Sequence, residues 1–170
     1  MAEEVAYKER QLVVFGLADE LYGIDIGVVR EIVTMQRVTR VPRVPDYIEG
    51  IINLRGNVIP VVDLRKKLGL PAKEKTKDTR IVIVEVDSET VGLVVDMVSE
   101  VMRVPESSIE LRSTLIGDLE SDPVEGIVRL DDKLIILMDI SRIISTQEVN
   151  TLPSREQLED SLDQGEEPQS

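Results

Sequence analysis

The chain has 170 residues, no cysteine, no histidine and a formal charge of −13. That length is one ordinary domain or two very small ones. The missing residue types remove thiol nucleophiles, imidazole bases, disulfides and the usual zinc ligands, and an acidic chain with three Tyr and one Phe offers nucleic acid neither a phosphate-neutralising face nor a stacking platform.

Twenty-four Val and seventeen Ile against four Ala favour pleated strands. The apolar runs, in order, are Leu12 to Leu17, Leu21 to Ile24, Val38 to Val41, Ile51 to Leu54, Val58 to Val62, Ile81 to Val86, Val91 to Val95, Val101 to Val104, Val124 to Leu130 and Leu134 to Met138. Each is strand-length, and turn signals such as Gly56-Asn57 and Asp131-Asp132-Lys133 separate most of them. The pattern predicts ten short strands. Four runs end in Asp25, Asp63, Asp96 and Asp139, after which the period changes, so these residues are expected to cap short helical turns. Pro42 and Pro45 cannot donate to a sheet and mark an extended connector. No run approaches the roughly 18 residues of a membrane span, and Met1 to Glu4 shows no basic-then-apolar leader, so a soluble cytoplasmic protein without membrane insertion is expected.

The most informative pattern is an internal duplication. Six of the twenty positions from Glu49 to Leu68 are identical at a shift of 76, and Glu20-Leu21-Tyr22-Gly23-Ile24 mirrors Glu89-Thr90-Val91-Gly92-Leu93 at a shift of 69. The fold class expected is mainly β: two five-stranded barrels with short helices, residues 10–79 and 80–149, sharing a packed interface as one folding unit. A single two-sheet sandwich is the alternative. Residues 150–170 lose the strand pattern and read as an acidic, disordered tail.

Chemistry is sparse. Asp131-Asp132 at a hairpin tip reads as a solvated turn before it reads as a metal site, so no metal is expected. Ser107-Ser108 lacks a lysine at nucleophile-activating spacing, and Gly50 and Gly56 do not form a phosphate-cradling loop. No cofactor and no catalytic residue is expected, which leaves binding. Residues 26–33 crowd six apolar residues, Gly27 among them, around Arg30 and Glu31, so some of Val28, Val29 and Ile32 should face a partner if they are not core. Arg55, at a rigid hairpin tip before Gly56, either meets a carboxylate on another chain or pairs internally with an acid such as Glu31 or Glu49. A carboxylate-dependent divalent-metal enzyme and a self-assembling structural β protein remain as competing classes.

The strings Tyr22-Gly23-Ile24-Asp25, Val29-Arg30-Glu31-Ile32, Gly50-Ile51-Ile52-Asn53-Leu54-Arg55-Gly56, Ile59-Pro60-Val61-Val62-Asp63-Leu64-Arg65 and Gly92-Leu93-Val94-Val95-Asp96 resemble the CheW-like family of bacterial chemotaxis coupling proteins, over about residues 10–144. The resemblance implies SH3-like barrels, no catalytic activity, and an adaptor that joins the cytoplasmic tips of methyl-accepting chemoreceptors to the regulatory domain of the CheA histidine kinase. It further implies receptor binding by Val29, Glu31, Ile32 and Arg55, and points to the region of Val98, Val101 and Val104 for kinase binding.

Overall fold

A computed structural model describes residues 8–112 and 123–144; the expected acidic tail lies outside the described residues. Eleven strands are described: β1 (Glu9–Leu17), β2 (Glu20–Asp25), β3 (Val29–Thr34), β4 (Ile48–Leu54), β5 (Asn57–Asp63), β6 (Arg80–Val86), β7 (Glu89–Val95), β8 (Met97–Pro105), β9 (Ile109–Leu111), β10 (Val124–Leu130) and β11 (Lys133–Met138). Helical turns at Leu64–Lys67 and Ile140–Ile143 follow β5 and β11, and single 3-10 turns follow β2 and β8. The chain is mainly β, consistent with two SH3-like subdomains: a five-stranded sheet in the order β3-β6-β7-β5-β4 and a six-stranded sheet in the order β8-β1-β2-β11-β10-β9.

The duplication extends to strand geometry. The β1–β2 and β6–β7 hairpins turn through positive φ at Ala18-Asp19 and at Asp87-Ser88, the shift of 69. Strand β5 pairs parallel with β7, and β11 pairs parallel with β2. A register irregularity between Val29 and Glu31 on β3 recurs on β8, where Val98 and Glu100 pair Phe15 and Val14, at the same shift. Gly50 is approached by the Thr39 carbonyl and Gly126 by the Glu110 carbonyl, the shift of 76; a Cβ would stand 2.1 and 2.5 Å from those oxygens.

Sheet membership departs from the expected division at residue 79. Strands β3 and β8, each following the first hairpin of its own repeat, pair instead with the first hairpin of the other repeat, β3 on β6 and β8 on β1. The five-stranded sheet therefore spans residues 29–95, while the six-stranded one joins residues 9–25 to 97–138. The run at Val38–Val41 supplies only a bridge between Thr39 and Ile51, where the second repeat has the three-residue strand β9. Pro42 and Pro45 account for the difference, since neither can donate to a ladder.

Burial explains why the strands read as continuous apolar runs. Alternate residues serve different cores. In β1, Leu12 and Val14 pack with Val104, Val128, Ile135 and Leu137 inside the six-stranded sheet. Val13, Phe15 and Leu17 face a shared core with Val82, Val84 and Leu93 of the other sheet. In β6, Ile81 and Ile83 turn instead to Ile52, Ile59 and Val61. The shared core packs one sheet against the other.

Three of the four predicted caps form. Asp25 accepts from Gly27 N at 2.9 Å, Asp63 from Arg65 N at 3.0 Å and Asp139 from Ser141 N at 3.0 Å. Asp96 is the exception, because strand β8 rather than a helical turn follows it. Its carboxylate receives Arg65 Nε at 2.8 Å and Nη2 at 2.6 Å, and accepts from Ala18 N at 2.9 Å. Arg65 also donates to the Pro71 carbonyl at 2.7 Å. The bidentate pair thus ties the turn after β5 to the β1–β2 hairpin of the other sheet. The guanidinium and the Ala18 N–H hold the Asp96 carboxyl below the usual carboxylate range against the opposing effect of burial.

Candidate docking site

Arg55 and Gly56 occupy the two central positions of the β4–β5 reversal, with φ of 52° and 87°. A hairpin turn of this kind needs positive φ at both positions, which Gly56 adopts without strain and Arg55 does not. Asn53 Oδ1 reinforces it by accepting from Gly56 N at 2.8 Å. The guanidinium so placed pairs with Glu31 on β3. Because β3 is one edge of the five-stranded sheet and β4 the other, the pair clasps the ends of a curled sheet.

On β3 the local register shift sets which side chains emerge. Val29 pairs Val84 and Glu31 pairs the adjacent Ile83, leaving Arg30 as an extra residue in a bulge. A bulge at a sheet edge re-aims side chains; here Arg30 is exposed and pairs with Glu85. Val29 packs half-buried on the shared core and Val33 on the sheet's own core, while Ile32 is 37% exposed. Next to the clasp lies a cleft of about 260 Å³ lined by Arg30, Glu31, Leu54, Arg55, Ile59 and Ile83. The structure therefore brings Glu31 and Arg55 together, with Ile32 exposed on the same strand. Sequence reasoning missed the Arg30–Glu85 pair and the cleft, since both depend on strands far apart in the chain.

Val98, Val101 and Val104 fare differently from one another. Val101 is 51% exposed, Val98 packs half-buried on the shared core, and Val104 is fully buried among Leu12, Val14 and Val128. Val104 has no surface to offer a partner, which removes it from the expected contact set. The shift of 69 places Val98, Glu100 and Val101 where Val29, Glu31 and Ile32 stand on the other sheet, and the shift of 76 places Asp131 at the position of Arg55. The two edges thus present similar apolar positions with opposite charge at the hairpin tip.

Beneath the β4–β5 hairpin, Glu49 and Asp63 form a close carboxyl pair. Burial, and then Glu49, push the Asp63 carboxyl up, while Lys75 at 2.7 Å and the Asp63 hydrogen bond hold Glu49 down despite its own burial. Among the described residues no three Asp or Glu side chains cluster so as to hold a metal ion, and no helix is long and apolar enough to cross a membrane.

The CheW-like domain model matches residues 11–148. The chemotaxis protein CheW of Bacillus subtilis (strain 168) is 37% identical over 147 residues, covering 86% of this chain and 94% of that protein. The chemotaxis protein CheW of Treponema pallidum (strain Nichols) is 34% identical over 148 residues, covering 84% and 86%. Among solved structures, the scaffolding protein TtCheW from Thermoanaerobacter tengcongensis is 43% identical with a TM-score of 0.74, covering 83% of this chain and 96% of that one. A match of this extent, laid over two interleaved sheets with their clasped Asn-Leu-Arg-Gly hairpin, makes this chain a member of the CheW-like domain family.

Proposed function

We propose that this protein is a non-catalytic chemotaxis scaffold, coupling the cytoplasmic tips of methyl-accepting chemoreceptors to the regulatory domain of the CheA histidine kinase in arrays at the cytoplasmic face of the membrane. The observation that carries the reading is its likeness, at 43% identity, to the scaffolding protein TtCheW. The two sheet edges support it. Val29, Glu31, Ile32 and Arg55 on the five-stranded sheet form the receptor surface, with Ile32 as the exposed apolar anchor and the Glu31–Arg55 clasp as its charged rim. Val98 and Val101 on the equivalent edge of the other sheet form the kinase surface. An adaptor of this kind contributes to signalling when its contacts differ between receptor states.

The test mixes the purified chain with receptor-tip and kinase regulatory fragments. Arg55→Glu is expected to weaken receptor binding by about 1–3 kcal/mol, the range for losing a charged contact, while the fold survives because the Arg55–Glu31 pair is exposed. Val101→Glu is expected to weaken kinase binding and leave receptor binding unchanged. Full binding of both partners by the folded double variant would refute both surfaces.

A further inference from the structure

The connector between β3 and β4 carries a three-residue repeat: Arg37-Val38-Thr39, Arg40-Val41-Pro42 and Arg43-Val44-Pro45. Its two kinds of side chain separate in the structure. The valines are half-buried and the three arginines are exposed. Val38 packs against the core of Ile52, Leu54 and Ile59, and Val41 against Ile51 and Val58. The connector is therefore apolar toward β4 and cationic toward solvent.

It is also held in place. Thr39 exchanges two backbone hydrogen bonds of 2.8 Å with Ile51, Ile48 N donates to the Pro45 carbonyl at 3.0 Å, and Asp63 N donates to the Tyr47 carbonyl at 2.7 Å. Pro42 and Arg43 are the central residues of a turn in which Arg43 takes a φ of 62°. Glycine or asparagine is the ordinary occupant of such a position, so the guanidinium is kept there against backbone strain. Arg37, Arg40 and Arg43 make no hydrogen bond or ion pair among the described residues. One acid, Asp46, lies between Gln36 and Ile48, and Glu49 beyond them is matched by Lys75 at 2.7 Å. Lys67, over the Tyr47 ring at 4.3 Å, adds a further cation there. At about 0.1 M salt, charges farther away than roughly 10 Å are screened, so a ligand at the connector meets this local excess of bases rather than the formal charge of the whole chain.

We infer that this connector binds an extended, acid-rich segment of a partner protein, whose carboxylates pair with Arg37, Arg40 and Arg43. The arginines follow the chain in a line, with about 10 Å from Arg37 to Arg40 at an extended rise. A line of charge fits acids strung along an extended chain better than the plane of a lipid surface. Guanidinium groups take carboxylates bidentately, and a platform already pinned spares part of the ordering cost of binding. Nucleic acid is disfavoured by the acidity of the rest of the chain and because Tyr47, the aromatic residue of this segment, is covered by Lys67. The assignment is independent of the chemotaxis reading.

The test titrates the isotopically labelled full chain with a blocked peptide of alternating glutamate and proline, which proline holds extended, and follows amide NMR shifts at low salt. Saturable shifts confined to residues 36–48 and the adjoining β4 are expected. Affinity should fall about tenfold in the Arg37→Gln, Arg40→Gln, Arg43→Gln triple variant, the worth of three exposed charge contacts. Arg43→Gly alone should weaken binding while holding or raising the melting temperature, because the strain leaves with the guanidinium. That single variant separates binding from a structural role, and it decides the matter if the triple variant loses its fold. No saturable shift, shifts centred on another surface, equal binding of the corresponding glutamine and proline peptide, or undiminished affinity in the folded variants would overturn the proposal. So would vesicles of phosphatidylglycerol and phosphatidylcholine, or a single-stranded oligonucleotide, shifting these amides when the peptide does not.

Discussion

Replacing Asp96 by Asn leaves Arg65 in place with its carboxylate partner removed. Side-chain exposure is 11% for Arg65 and 22% for Asp96, so the lost partner is only partly replaced by water. Breaking a buried pair from one side costs about 3–5 kcal/mol, and the residual exposure of Asp96 favours the lower end, about 3 kcal/mol. For a domain of this size that is a fall in Tm of about 6–12 °C. Urea unfolding at pH 7 measures it, with Arg65→Met and the double variant completing a cycle that isolates the pair. The pH dependence is a second signature. Because the folded carboxyl titrates below its unfolded value, its stabilisation is complete above the unfolded pKa of about 4 and is lost as pH falls through the lower folded pKa. The gap between the parent protein and Asp96→Asn should stay constant above about pH 5 and close in acid. A difference under 1 kcal/mol at pH 7, or one that persists unchanged into acid, would refute the assignment of Asp96 and Arg65 as a tie between the sheets.

Gly50→Ala should be lost to folding, by more than about 3 kcal/mol, since Gly50 sits at φ 147° with the Thr39 carbonyl 2.1 Å from a built Cβ; the yield of folded protein and its thermal melt check this. Arg55→Gly should hold or raise stability by up to about 1 kcal/mol by releasing left-handed strain, while weakening receptor binding, so a melt and a pull-down should move in opposite senses. Asp63→Asn keeps the cap acceptor and removes the charge that burial and Glu49 disfavour. Stability at pH 7 should be unchanged or higher by up to about 1 kcal/mol. Because the folded carboxyl titrates above its unfolded value, any advantage should vanish below about pH 4, as urea melts at the two pH values would show.

Much of the fold was legible because local signals act through short-range physics. Nine of the ten expected runs fall on strands, and Asp25, Asp63 and Asp139 cap turns within two residues of themselves. What depended on distant partners was not legible. Strand β3 begins inside residues 26–33, which read as a crowded apolar stretch because the ladder partner β6 lies about fifty residues away. Val38–Val41 read as a strand because the run is apolar, although Pro42 and Pro45 limit it to one bridge. Asp96 shares the sequence context of the caps, and only the arrival of Arg65 and Ala18 distinguishes it. At the site, internal pairing of Arg55 with Glu31 or Glu49 was an open alternative; the structure selects Glu31, while Glu49 takes Lys75. Val104 stood in a run whose neighbour Val101 is exposed, and alternation along β8 sent it inward.

The exchange of β3 and β8 has a consequence for how such a protein could arise. A solitary repeat would own a hairpin, a wandering third strand and a second hairpin, but that third strand would find its ladder only on another molecule. The ancestral half-length polypeptide implied by the duplication would therefore have been an intertwined homodimer, and gene fusion would have turned an encounter between two molecules into a covalent certainty. The two edges, once identical by symmetry, were thereby freed to diverge, as the arginine at one hairpin tip and the aspartate at its twin record.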